Sequence, residues 1–358
     1  MTNQRDLSLD AFRGLTVILM IIVNLQGNGD AAYSALKHAE WHGLTFADLV
    51  FPWFLFIVGL SVPLALDRAG SGSPWCAVLR RALVLFMLGV ILAWLIRPVE
   101  FDQIRWMGVL QRIGIVYLAC AAVVLARPGW MLAAVLAAMI LIVHSWLVFA
   151  PVDGINSLSV GQGLNASLDQ DYLPGRLLRK TWDPEGVLST LPAIASGMLG
   201  VAAMRWKQLA SKLSPIMPII LSFIGLFFAL SGMLLSGHIP VNKQLWTASF
   251  VLLTSGLALI FWHILQKLWV RIGHHALARW AILLGQTALT LYVIHMLLLA
   301  VIVRKLPDDT RIWDTLYASL ASTGLPPALA SLLFALIAGA LCTAPLARLK
   351  RKGWLIKA

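Results

Sequence analysis

The sequence predicts an all-α fold, a polytopic bundle of about ten membrane-spanning helices with both termini cytoplasmic. Three observations carry that prediction. Of the 358 residues, 59% are hydrophobic and 12% charged, where soluble domains carry roughly 25% charged residues. Mean hydropathy is +0.83. The apolar residues come in blocks of about 20, the length a helix needs to cross a roughly 30 Å hydrocarbon core, and the alternating ten-residue segments of a membrane barrel are missing.

The first run, 11–27, follows a short polar start and lacks a small-residue cleavage site, so it reads as a retained helix rather than a signal peptide. The later runs lie near 45–66, 82–96, 107–126, 130–150, 187–204, 214–235, 246–267, 281–303 and 326–346. Segment 312–323 reads as an interfacial helix. Lys and Arg favour the side that holds the termini, with Arg348, Lys350, Arg351, Lys352 and Lys357 in the tail. The positive-inside rule then gives N-in, C-in. The chain reads as one domain, 1–358, and 151–186 as its long external loop, rich in the Gly, Asp, Asn and Pro of turns. A loop of that length without regular structure is usually functional or disordered.

The net charge of +12 is read as membrane topology, so no nucleic-acid partner is expected. Cys76, Cys120 and Cys342 lack metal-ligand spacing and read as packing residues. Gly161-Gln162-Gly163 follows no strand and is not a dinucleotide fingerprint; P-loop, HExxH and GxSxG motifs are absent from the sequence.

The most informative polar stretch is His38-Ala39-Glu40-Trp41-His42-Gly43-Leu44, between two apolar runs on the expected outer face. An imidazole there suits general-base work near neutral pH, or is simply solvated. His38 and His42 are four apart and would share a helical face, yet a metal would need a third ligand, so none is expected. Asp48 reads either as an acid at a helix N-terminus or as a group that orients a histidine. Arg112, inside a span, must pair with an acid such as Asp48 or meet a ligand. Asp10 and Arg13 read as a local ion pair. Arg80 and Arg81, ahead of the third span, are a topology signal or a phosphate contact. Asn242, Lys243 and Trp246 open the eighth span, and His295 in the ninth reads as an interhelical hydrogen-bonding residue. Trp41, Trp182 and Trp246 lie beside polar clusters, where an indole belongs to an interfacial belt or stacks on a sugar.

Several motifs in order resemble the catalytic membrane domain of the heparan-α-glucosaminide N-acetyltransferase family. They are Ser8-Leu9-Asp10-Ala11-Phe12-Arg13-Gly14 with Asn24, Lys37 to Trp53, Gly108-Val109-Leu110-Gln111-Arg112, Trp182-Asp183-Pro184-Glu185-Gly186, Pro240 to Thr247, and Gly285 to His295. The resemblance covers nearly the whole chain. It implies transfer of an acetyl group from cytosolic acetyl-CoA to the amine of an amino sugar on the opposite face. The family's active-site histidine maps onto His38 and its first-helix asparagine onto Asn24, with Asp48 orienting the imidazole. His42 stands where the lysosomal enzyme has asparagine.

The resemblance implies acceptor contacts from Trp41, His42, Arg112, Asp183, Glu185, Asn242, Lys243, Trp246 and His295. It implies nucleotide contacts from Arg13, Arg80 and Arg81. Acetyl-CoA, an amino sugar and membrane lipid are the expected partners, with a homodimer an open option and no metal. The lysosomal enzyme's luminal N-terminal domain has no counterpart ahead of the first run, which implies a bacterial inner-membrane form. A free hexosamine, chitosan-type fragment or cell-wall sugar then fits better than heparan. His38 serves either as the base in a ternary complex or as the acetyl carrier. The competing readings are an amino-sugar permease on the same helices and an acyltransferase acting on another periplasmic glycan.

Overall fold

The computed structural model describes residues 6–68, 74–126, 129–213, 219–273, 275–307 and 309–356. Lys357 of the basic tail lies outside them. In chain order the helices are α1 (Leu7–Asn24), α2 (Val50–Leu66), α3 (Pro74–Ile96), α4 (Val109–Ala126), α5 (Trp130–Phe149), α6 (Gly163–Tyr172) and α7 (Val187–Leu213). They continue with α8 (Ile220–Leu235), α9 (Ala248–Ile272), α10 (Ala276–Gln286), α11 (Ala288–Ile302), α12 (Ile312–Ala321), α13 (Pro327–Thr343) and α14 (Leu346–Arg351). Helices satisfy their backbone groups internally, which a segment in lipid must do. Among the described residues eight helices are long and apolar enough to cross a membrane, or nine if α10 and α11 form one broken span.

Four sequence expectations change. The run 281–303 is not one helix: α10 and α11 meet at 79°. Thr287 turns its hydroxyl onto Leu283 O at 2.8 Å and takes a non-helical φ of −114°. The third span starts at Pro74, so Arg80 and Arg81 sit inside α3 rather than ahead of it. Loop 151–186 contains α6, whose second residue pair is anchored where Asn165 N donates to Ser157 Oγ at 3.0 Å. The run 214–235 is matched by the 16-residue α8; its first residues, 214–218, lie outside the described set.

Two close crossings hold the bundle. In α1 and α10, Gly14 and Gly285 bring backbone onto backbone, and a Cβ on either would overlap the other helix. Small residues permit this approach where lipid supplies no hydrophobic drive between helices. Asp6 caps α1, its Oδ1 accepting Leu9 N at 3.1 Å. The α2 helix packs on α7 around Gly59, Gly197 and Gly200. By contrast α3, α5 and α8 carry rows of exposed Leu, Ile, Val, Phe and Met.

The interhelical loops gather at two ends. At one, Gly43 N donates to Val241 O at 2.7 Å and Trp41 Nε1 to Leu158 O at 2.7 Å. Gly27 O accepts Trp313 Nε1 at 2.7 Å there as well. At the other end Arg205 grips Asp67 at 2.7 and 2.9 Å, and Lys207 Nζ lies 2.8 Å from Asp6 Oδ2.

Candidate functional site

Residues 46–49 form a short 3-10 turn ahead of α2, and Asp48 is its reciprocal cap. The Asp48 carboxylate is buried, with 1% of its side chain exposed. Its Oδ2 accepts Thr45 N at 3.1 Å and Ala39 N at 3.0 Å, and lies 3.0 Å from Thr45 Oγ1. Its Oδ1 lies 2.8 Å from His38 Nδ1 and 3.2 Å from Lys243 Nζ. Asp48 thus caps the turn through Oδ2 and meets His38 through Oδ1. His38 is 45% exposed. In the tautomer whose Nδ1–H is donated to Asp48, Nε2 is the imidazole's free acceptor, the arrangement that prepares a histidine as a base or nucleophile.

Lys243 arrives from the turn between α8 and α9, its Nζ 3.0 Å from His38 Nδ1. Burial holds its ammonium below the ordinary value, against the pull of Asp48. Residues 37–45 are not helical, so the shared helical face expected for His38 and His42 does not form. His42 instead meets Asn242, Nδ2 to Nδ1 at 3.2 Å, and burial lowers its pKa. Trp41 packs edge-on against the buried Trp182, ring centroids 5.2 Å apart. Asn24 is exposed at the last turn of α1, at this same end.

Beneath the surface pair lies a second layer. Arg105 binds Asp183 with two hydrogen bonds, at 2.8 and 2.6 Å, and Glu185 at 2.5 Å. Burial raises the Asp183 carboxyl, but Arg105 outweighs it and the group ends below its ordinary range. Arg112 is fully buried. The expected partner, Asp48 or another acid, does not hydrogen-bond to it. Its Nη2 reaches Pro184 O at 3.0 Å, Gly186 O at 3.4 Å and Ser189 Oγ at 2.6 Å. Its guanidinium also lies 5.2 Å from the Trp246 ring and 5.8 Å from the Phe51 ring. Trp246 is itself buried among Phe51, Phe250 and Arg112, and it supports the layer rather than offering an open ring face. Its φ of 56° is rare for a residue with a side chain. His295 is buried with both ring nitrogens unpartnered among the described residues, so the expected interhelical hydrogen bond does not form.

Sequence reading missed Arg105 and Ser189, each paired with a residue far along the chain, and Asp169, whose partners lie 14 and 18 positions on. Asp169 accepts Asp183 N at 2.9 Å and Val187 N at 2.8 Å, which pins the Trp182–Gly186 turn. Burial pushes its carboxyl from 3.8 up to about 6. A raised folded-state value stabilises the fold fully below the unfolded value, and that contribution fades as pH rises through 6. The melting temperature of the wild type should therefore fall between pH 4 and pH 7 relative to Asp169→Asn. Parallel melting curves for the two proteins across that window would count against it.

From the opposite end a cavity of about 480 Å³ runs into the bundle. Asp6, Asp10, Arg13, Arg68, Arg81 and Gln286 give it polar and charged lining, while Val17, Met20, Phe54, Leu110 and Ile113 are apolar. Arg13 pairs with Asp10 at 3.2 Å, as expected, and also reaches Ser61 Oγ at 2.7 Å. Arg81 lies over the Tyr117 ring at 4.8 Å. Arg80 is exposed and outside the cavity lining. Tyr292 also lines the cavity, and His295 lies one helical turn beyond it along α11.

Apolar spans, with titratable groups at one end and an arginine-bearing cavity at the other, make this a multi-pass helical membrane protein. Residues 5–174 match the family model described as heparan-alpha-glucosaminide N-acetyltransferase, catalytic. The chain is 30% identical to the human heparan-alpha-glucosaminide N-acetyltransferase over 322 residues, 70% of this chain and 47% of the human protein. It is 28% identical to the mouse protein of the same name over 312 residues, 68% of this chain and 46% of that one. Over the matched residues the chain is similar to the heparan-α-glucosaminide N-acetyltransferase family. It spans about half the length of the curated relatives it matches.

Proposed function

We propose that this chain is a single-domain acetyltransferase that moves an acetyl group from cytosolic acetyl-CoA to the amine of an amino sugar on the opposite face of a bacterial inner membrane. The observation that carries this reading is the buried Asp48 behind the exposed His38, at the end of the bundle opposite the cavity's Arg13 and Arg81. The topology is N-in, C-in, and the His38 end is outside. The cavity suits the donor: cationic groups near Asp6 for phosphates, then apolar walls for a thin flexible arm. Arg13 and Arg81 hold that end, joined by Arg68. Arg80 is left to mark topology.

Acetyl-CoA supplies an activated thioester carbonyl. The amine nitrogen bonds to the acetyl carbon as the thioester C–S bond breaks. His38 Nε2 takes the amine proton and passes it to the departing CoA thiolate, while Asp48 keeps the imidazole in the tautomer that can do so. The Asn24 amide donates to the carbonyl oxygen as negative charge grows on it. Trp41, His42 and Lys243 face the acceptor. Arg112, Asp183, Asn242 and Trp246 hold those residues in place from below, and His295 lies between them and the cavity.

Liposome-reconstituted protein, given acetyl-CoA on one face and glucosamine on the other, should release free CoA only when both are present. Sugar flux without CoA release would replace this reading with a permease. Asn24→Ala should lower kcat by roughly 10²–10³-fold, the cost typical of a lost oxyanion donor, with the donor KM nearly unchanged. A variant that raises KM alone would make Asn24 a binding residue.

A further inference from the structure

Along α3, Leu79, Leu83, Met87, Ile91 and Trp94 are exposed at spacings of three and four residues, which sets them in one stripe on the outside of the bundle. Arg97, three residues past Trp94, continues that stripe just beyond the helix and is exposed as well. The hydrocarbon of one leaflet is about 15 Å deep, roughly ten residues of helix. Met87, Ile91 and Trp94 thus lie beside the acyl chains of a lipid whose headgroup is level with Arg97.

The loop beyond Arg97 is fixed in place at the His38 end. Trp94 Nε1 donates to Val99 O at 3.0 Å, and the Phe101 and Trp106 rings meet edge-on at 5.7 Å. Phe101 and Trp94 are exposed, as aromatic residues at a membrane interface are. The long loop delivers Arg176 to the same place. Arg105 and Gly175 form an isolated bridge, and Arg176 N donates to Ile104 O at 3.4 Å. Gly175 has a φ of 76°, and a Cβ there would strike Ile104 O.

Neither Arg97 nor Arg176 makes a side-chain hydrogen bond or ion pair among the described residues, and Arg176 Nε is shut off from solvent. A buried donor left unbonded is costly, so this one calls for an acceptor. The acids on the loop do not supply it: Glu100 and Asp102 are exposed, and Asp102 accepts Gln103 Nε2 at 3.2 Å. Burial, then the positive charges of Arg97 and Arg105, hold the Arg176 guanidinium below its ordinary value. Asp183 pulls the other way but is already gripped by Arg105. A phosphodiester answers both needs, because its oxygens match planar guanidinium donors and its charge relieves the repulsion. A zwitterionic headgroup would bring a further cation to the same spot.

We propose that Arg97 and Arg176 form a headgroup site for an anionic phospholipid of the leaflet at the His38 end, its phosphate between the two guanidinia and an acyl chain along the α3 stripe. The bound lipid steadies the loop that carries Arg105, and through it the Asp183 and Glu185 layer. The site stands apart from the acetyl-transfer reading and is tested without an acyl donor.

The test titrates short-chain phosphatidylglycerol, short-chain phosphatidylcholine and inorganic phosphate into the purified full chain in neutral detergent, read by calorimetry and melting temperature. Only phosphatidylglycerol should bind saturably and raise the melting temperature. Arg97→Gln and Arg176→Gln should each weaken that binding about tenfold, the worth of one hydrogen bond to a charged group. Arg304→Gln, which changes an exposed arginine elsewhere at this end, should leave it unchanged. Arg97 is exposed and unpaired among the described residues, so Arg97→Gln without lipid should melt as the wild type does. Equal binding of the two lipids would overturn the site, and so would an equal loss in Arg304→Gln. Inorganic phosphate that binds as tightly as phosphatidylglycerol would make the cluster a free-anion site and remove the lipid.

Discussion

His38→Ala is expected to lower turnover by roughly 10²–10⁴-fold, the range that a positioned acid–base group contributes. The variant should insert and fold as the wild type does, because the ring is 45% exposed and packs in no core. Its one strong bond goes to Asp48, which keeps Thr45 N, Ala39 N and Lys243 as partners when the imidazole is gone. The check is CoA release by protein whose size-exclusion profile and melting temperature match the wild type. Normal turnover in such a preparation would remove His38 from the chemistry. Asp48→Asn separates the roles further. It keeps the side-chain shape, but its amide can present a donor to Nδ1 and so disturb the tautomer that leaves Nε2 free. A large fall in kcat with little change in either KM is the expected signature.

Arg105→Ala is expected to carry the largest stability cost, about 3–5 kcal/mol, because it strands buried carboxylates rather than merely deleting a contact. Asp183 has 1% of its side chain exposed and Glu185 12%. Both would lose their common cation, while Leu178 N and Glu185 N still point at Asp183. Arg105→Lys should recover only part of the loss, since a point charge cannot reproduce the two-pronged contact with Asp183. The double variant Arg105→Ala/Asp183→Asn should recover more than the single changes predict, as expected when the penalty is an unpaired charge. Thermal unfolding in detergent, with limited proteolysis of 151–186, reads both effects. An unchanged melting temperature in Arg105→Ala would show that the turn is held by other contacts.

Much of this architecture could be read from the chain because hydrophobicity in lipid is a length argument. Apolar runs of span length became α1 to α5, α7, α9 and α13 with boundaries shifted by a few residues. The exception is α3, whose first turns carry Arg80 and Arg81 and so look polar. The break at Thr287 escaped notice because Gly285-Gln286-Thr287 is compatible with a helix; tertiary packing of Gly285 on α1 is what bends it. The α6 helix escaped because its polar sequence, Gly163 to Tyr172, has no membrane signature.

The candidate site divides along the same line. Asp48 and His38 are ten residues apart and could be paired by proximity. Lys243 joins Asp48 across 195 positions, Arg105 reaches Asp183 across 78 and Arg112 reaches Ser189 across 77. Only the folded chain brings those together. Burial explains the two misassigned partners: Arg112 bonds carbonyls and a hydroxyl rather than an acid, and His295 bonds nothing among the described residues.

The ties across the His38 end have a mechanical meaning. Trp41 fastens the first loop to the long one at Leu158, and Gly43 fastens it to Val241. Arg105 fastens the loop before α4 to Asp183, and Trp313 fastens the segment after α11 to Gly27. Every interhelical loop at this end is thus stitched to a neighbour, making the surface a single plate. Alternating access works by rocking one half of a bundle against the other, and here that motion would tear these seams. The acetyl transfer proposed above would ask none of them to open.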